Sequence, residues 1–304
     1  MIAPFIRIKN VRENTNTHIR LWYRREVPEA RLSMHILYRI HRRIQKILLW
    51  LKGLYMMYIV LFVHKVLRIP IRRVSHFQRQ IPLIERKEYS QNGEDGCIQA
   101  IFAMIGTENK YYVEFGVENG IECNTRYLMK HKGWKGLLMD GGFKSEELNL
   151  QQEFITAENI EELFVKYNVP KEFDLLSIDI DGNDYWVWKA ITNYTPRVVI
   201  MEYNACIPYK PAVTVPYDPE FSWDKTDYYG ASLSAMVQLG YQKGYTLIDT
   251  DRHGVNAFFV RDDLMRLFKK TEPKELYRPA LFKGKTGDAG RHKSDPLNRP
   301  WENV

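Results

Sequence analysis

Asp179 lies in the apolar run 173–180 and Asp181, two residues on, follows its end, while Glu202 and Asn204 follow the next run, 197–201. In an extended strand, positions i and i+2 share a face, so both aspartates point the same way. Four oxygen donors at neighbouring strand tips can hold a hard divalent cation such as Mg²⁺, which lowers the pKa of a bound hydroxyl and positions it. Asp181 is equally a candidate general base, as is His253, which follows Asp251-Arg252 in a predicted hairpin turn. Blander roles stay open: Asp179 can simply bond loop amides, and His253 can be a turn residue.

A second constellation lies upstream. The run Tyr111-Tyr112-Val113-Glu114-Phe115-Gly116 reads as a strand that ends in an acid and a glycine, and Gly120 follows. Glycines there permit a sharp turn and close approach to a ligand, while Glu114 can take a hydroxyl or amine. The spacing is acid-x-Gly-x-x-x-Gly rather than the Gly-x-Gly-x-x-Gly of dinucleotide folds. Asp140 closes the next apolar run, 134–139, and is placed to grip a ribose diol.

These residues need a scaffold that brings strand tips together. Helical stretches are expected at 124–131 and from about 159 to 167, a third strand at 154–156 leading into Ala157-Glu158-Asn159, and a last strand at 254–260. Strands alternating with helices, each ending in polar residues, describe a parallel sheet that holds ligands at its carboxyl ends. The aperiodic stretch 208–230 is read as a cover: its aromatics suit stacking on sugar rings, and Asp218, Asp224 and Asp227 can take sugar hydroxyls.

In order and spacing the chain resembles the FkbM-like branch of class I S-adenosylmethionine-dependent methyltransferases. Glu114, Gly116 and Gly120 match the family's first loop. Ser90-Gln91-Asn92-Gly93-Glu94-Asp95 is similar to its Ser-Gln-x-Gly-Gln/Glu-Asp, Cys123-Asn124-Thr125 to its Ser-Asn-Thr, and Ser177-Ile178-Asp179-Ile180-Asp181-Gly182 to its Lys-Ile-Asp-Val-Glu-Gly. Gly254-Val255-Asn256-Ala257-Phe258-Phe259-Val260 is similar to its closing strand. The resemblance, over residues 88–265, implies a mostly parallel, seven-stranded, Rossmann-like α/β sheet and S-adenosylmethionine bound by Gln91, Glu114, Gly116, Gly120, Asn124, Asp140, Glu158 and Asp179. It also implies a glycan or glycolipid hydroxyl as acceptor. Met139-Asp140-Gly141-Gly142 departs from the family's Glu-Pro-Asn-Pro, and the aromatic 184–188 segment departs on the expected acceptor side. A methyltransferase fold kept only as a scaffold in a membrane-associated complex is the alternative.

The net charge of +7 conceals an uneven chain. Residues 1–86 carry 18 Lys and Arg against 4 Asp and Glu, and the remainder 26 against 33. Hence three parts are expected: a basic helical extension at 1–86, a catalytic domain at 87–268 and an irregular tail at 269–304. Apolar residues recur at helical spacing from Met34 to Tyr58, with Arg and Lys between them, and 53–63 is uncharged. That uncharged run is shorter than the about 20 residues of a membrane span. An amphipathic helix within 34–68 lying on an anionic membrane is therefore expected, with a protein partner as the second choice. Nucleic acid is disfavoured by the apolar run within the arm. The first ten residues lack a secretory apolar core, and three cysteines without metal spacing suit a reducing compartment, so a cytoplasmic, peripheral membrane protein is expected.

Overall fold

The computed structural model describes residues 85–282 and 290–304. The predicted arm, including 34–68, lies outside them. Among the described residues no helix is long and apolar enough to cross a membrane.

Among the described residues nine strands and six α-helices follow one another: α1 Glu94–Ile105, β1 Tyr111–Phe115, α2 Arg126–Lys132, β2 Lys135–Asp140, β3 Leu150–Gln152, α3 Ile160–Lys166, β4 Glu172–Ile178, α4 Asp184–Ala190, β5 Thr195–Glu202, β6 Val213–Thr214, α5 Leu233–Gln242, β7 Tyr245–Thr250, β8 Asn256–Arg261, α6 Pro273–Leu276 and β9 Glu302–Asn303. Seven of the strands form one sheet in the order β3-β2-β1-β4-β5-β8-β7. All its pairings are parallel except those of β8, which runs against β5 and β7. This is a Rossmann-like α/β architecture, with the strand count and direction expected from the sequence.

The central strands are near-continuous apolar runs because helices cover both sheet faces. In β4, everything from Phe173 to Ile178 is buried, as is Pro196 to Met201 in β5. Helix α1 buries Cys97, Ile98 and Ile101, spaced for one helical face. Between β1 and β4 the strand order reverses direction, the place where open α/β sheets leave a crevice at their carboxyl ends.

At the opposite end of the sheet a buried ion pair locks α1 to the strands. Asp174 accepts from Arg197 at 2.7 Å and from the amides of Glu108 and Lys110. The same guanidinium donates to the carbonyls of Ile105 and Gly106, the C-terminal end of α1.

Two expectations need correction. The third strand is Leu150–Gln152 rather than 154–156. Leu150 is buried against the core whereas Phe154 is 60% exposed, so the apolar residues of 154–156 do not all face inward. The aromatic segment 184–188 does not line an acceptor pocket as a group. Tyr185 and Trp188 are buried core residues of α4, and Trp188 packs 5.2 Å from Phe259 and 5.9 Å from Tyr245. Within the tail, expected to be irregular, β9 pairs with β6 and Arg299 lies over the Tyr228 ring at 4.1 Å.

Candidate functional site

Asp179, Asp181 and Glu202 converge at the carboxyl ends of β4 and β5. Each offers an oxygen, and the three oxygens lie within 4.8 Å of one another. Asp179 and Glu202 are half-buried, and Asp181 is exposed at the rim. The backbone explains the convergence. Asp181 takes a left-handed φ of 57°, and the turn behind it is fixed by Asp184, whose carboxylate accepts the amides of Ile180 at 2.8 Å and Gly182 at 2.9 Å.

Asn204, the fourth predicted ligand, does not join them. It is fully buried; its amide donates to the carbonyls of Asp227 and Tyr229, and its oxygen accepts from the Cys206 amide. Every polar atom of that side chain is spent on shaping the segment after β5.

Burial and the proximity of like charge set the protonation of the trio. Burial first, then the charges of Asp181 and Asp184, push Asp179 well above the usual carboxylate range. Glu202 is raised likewise, by burial first and then by the charges of Asp179, Asp181 and Asp184. Although the Asp181 side chain reaches the rim, the protein packed around its base excludes enough water, with the charge of Asp184 next, to push it up to about 6. An unfolded aspartate titrates near about 3.9. Between these values the folded chain holds the extra proton, so this contribution favours folding at the low end and is lost as pH rises. The wild type should therefore lose melting temperature relative to Asp181→Asn between about pH 4 and pH 6. Scanning calorimetry of the metal-stripped proteins checks this, and a difference that is constant or of opposite sign contradicts it.

The first loop is built differently from its sequence-level reading. Glu114 does not face the crevice: it is buried, and its oxygens accept the Asn124 amide at 2.7 Å and the Thr125 amide and hydroxyl at 2.9 and 2.6 Å. It holds the entry to α2 and has no edge free for a ligand amine or hydroxyl. Gly116 takes a φ of 76°, and a Cβ there would overlap the Asp179 carbonyl. Its missing side chain lets β1 and β4 turn past one another. Gly120, with a φ of 71°, packs against Leu148.

Asp140 stands at the tip of β2 as expected. It accepts the Glu118 amide at 2.8 Å and the Gly142 amide at 2.8 Å, which ties the first loop to the second strand and leaves lone pairs at the rim. Asn124 is buried and donates to the Ser177 hydroxyl at 3.0 Å, while Gln91 is exposed. Glu158 is exposed and accepts the Tyr217 hydroxyl, a contact that holds its carboxyl below the usual range; the same hydroxyl takes the Ala157 amide at 3.2 Å.

His253 lies on the turn between β7 and β8. Its amide is held by Asp251, and its ring Nδ1 is 3.8 Å from the same carboxylate. The imidazole is not part of the 4.8 Å acid group, to which Asp181 belongs.

The cover is anchored more firmly than a free lid. Phe221 packs on Gly182, Trp186 donates to the Val215 carbonyl at 2.9 Å, and Asn183 donates to the Asp218 carbonyl at 2.7 Å. Tyr228 and Tyr229 are buried. Asp224 pairs with Arg299 at 2.6 Å, and Asp227 accepts the Asp295 amide, so of the three cover acids Asp218 has the fewest such ties. Tyr229 was legible only as one aromatic among many, and nothing in its sequence context set it apart.

Neither family models nor curated proteins give a match to this chain. Among solved structures, it is similar to a SAM-dependent methyltransferase from Aquifex aeolicus at 10% identity, over 60% of this chain and 97% of that one, with a TM-score of 0.28. At that score the likeness carries no weight for fold or function.

Proposed function

We propose that the chain is an S-adenosylmethionine-dependent O-methyltransferase whose acceptor is a sugar hydroxyl of a glycan or glycolipid. The observation that carries this reading is a coincidence of place. The point where the strand order reverses, the tight Gly116 turn and the Asp179–Asp181–Glu202 trio all fall at one end of β1, β4 and β5.

The residues present fit the cofactor. A ribose diol asks for an acid at the second strand tip, where Asp140 has acceptor capacity left after its two amides. A sulfonium cation is favoured where carboxylates outnumber cations, and the influences on Asp179 and Glu202 are burial and other carboxylates. When bound, S-adenosylmethionine supplies an electrophilic methyl carbon for in-line transfer to the acceptor oxygen. Asp181, exposed and with its carboxyl pushed up to about 6, is placed to take the acceptor's proton. Asp179 and Glu202, or a cation held with them, keep that hydroxyl in position. Gln91, Asn124 and Glu158 remain candidates for the rest of the cofactor, and the basic arm at 34–68 for attachment to an anionic membrane.

One observation favours a second reading, a scaffold that keeps the architecture without the reaction. Tyr217 already occupies Glu158 and the Ala157 amide.

Incubating the full chain with methyl-tritiated cofactor and a panel of sugar acceptors tests the reaction. Label should appear in acceptors with free hydroxyls, and Asp181→Asn should lower the rate by about 10²- to 10⁴-fold, the usual weight of a general base. Labelling that is unaffected by Asp181→Asn would remove it as the base.

A further inference from the structure

We propose that Asp179, Asp181 and Glu202 bind one hard divalent cation, Mg²⁺ or Mn²⁺, in a site completed on its buried side by the Tyr229 hydroxyl. The site stands on its own geometry; only its use, holding the acceptor oxygen, rests on the methyltransferase reading.

Neighbouring acids show how this protein satisfies a buried carboxylate when no ligand is needed. Glu94 accepts the Asn92 amide and the Asn256 side chain, at 2.8 and 2.9 Å. Glu114 takes three donors from the start of α2, Asp184 two amides, and Asp251 the amides of His253, Val255 and Asn256. The trio is treated otherwise. Its members feel burial and one another's negative charge, and Glu202 keeps one buried oxygen, Oε2, with no partner; Asp95 and Asp249 also have one unpartnered oxygen each, but their other oxygen is held by Ser90 and by Arg278.

Tyr229 is the independent observation. Its side chain is 1% exposed and its hydroxyl has no hydrogen-bond partner, although Glu202, Asp179 and Asp181 are charges that act on it. Buried hydroxyls are nearly always bonded, and an orphan beside three acids points to something held between them. The Asn183 oxygen, in the same turn as Asp181, is likewise buried and unpartnered.

The chemistry of the donors selects the ligand. All are oxygens, which suit Mg²⁺, Mn²⁺ or Ca²⁺ rather than copper or zinc. Three carboxylates with one exposed side match a cation that keeps several waters, whereas Ca²⁺ takes about six to eight protein and water oxygens. Oxygens on opposite sides of one such ion lie about 4 Å apart at Mg²⁺ bond lengths, which the observed 4.8 Å limit accommodates.

The test is a Mn²⁺ titration of the purified, metal-stripped full chain, with free ion followed by electron paramagnetic resonance. One Mn²⁺ per chain should bind and be displaced by Mg²⁺. Asp179→Asn and Glu202→Gln should each weaken binding at least about tenfold, the lower bound for loss even of an outer-shell partner. Glu122→Gln, on an exposed residue paired with Lys87, should not. Both amide variants remove like-charge repulsion and keep side-chain shape; if either fails to fold, Asp181→Asn at the exposed position gives the same readout. No uptake up to about 1 mM, or equal affinity in all variants, overturns the site. Cofactor binding to the stripped protein is measured separately: cofactor uptake without Mn²⁺ uptake sinks the cation alone, and Mn²⁺ uptake without cofactor uptake sinks the methyl-transfer reading alone.

Discussion

Gly116→Ala should destabilise the protein by about 2–5 kcal/mol, combining roughly 1–2 for a left-handed backbone with a side chain and about 1–3 for forced overlap. The overlap is with the Asp179 carbonyl, part of the backbone that links β4 to the acid trio, so it cannot be relieved by a rotamer change. Gly133→Ala is the matched control. That residue has a similar φ of 68° but nothing within 4 Å of an added Cβ, so only the backbone cost applies. Urea unfolding of the two variants should separate them clearly. Equal losses would mean that β1 and β4 do not meet this closely.

Removing either partner of the Asp174–Arg197 pair should cost about 3–5 kcal/mol, because the other charge is left buried and uncompensated. Arg197→Met would leave the fully buried Asp174 without its countercharge, held only by the Glu108 and Lys110 amides, and would take the donor from the carbonyls at the end of α1. Glu108→Gln alters the exposed partner of the same arginine, 3.8 Å away, and should cost less than about 1 kcal/mol. The measurement is the denaturant midpoint of each variant. A small loss in Arg197→Met would show that the pair is not sealed from water. Because this lock lies at the end of the sheet remote from the acid trio, Arg197→Met and Gly116→Ala probe opposite ends of β4.

The sheet was legible because its signals are local and redundant. The apolar runs that become β1, β2, β4, β5 and β8 are each continuous or nearly so and end in polar residues, and the helices between them carry spaced apolar faces. The third strand was misplaced because it is three residues long: Phe154 and Ile155 look more strand-like than Leu150-Gln151-Gln152, and only the pairing of 150–152 with β2 distinguishes them. At the site, the strand-tip rule singled out Asp179, Asp181 and Glu202, whose oxygens the fold brings within 4.8 Å of one another. What it could not reveal is which acids the backbone would consume. Glu114 and Asn204 have the right type and position, yet the amides of Asn124, Thr125 and Cys206 claim them, and those partners are fixed by loop geometry rather than by spacing. The glycine at 116 was right for a tight turn but wrong in its neighbour, since a sequence gives a glycine's freedom without saying what approaches it. Tyr229 escaped notice because an orphaned hydroxyl is defined by the absence of partners in three dimensions.

The methyltransferase account is tested most directly by calorimetric titration of the purified full chain with S-adenosylmethionine and with S-adenosylhomocysteine. One ligand per chain should bind, and Asp140→Ala should weaken it by about 1.5–3 kcal/mol through loss of a charge-assisted hydrogen bond, while leaving the far-ultraviolet circular dichroism unchanged. No heat from either ligand at concentrations up to about 1 mM, in protein that is folded by the same spectrum, would contradict the account and leave the scaffold reading in its place.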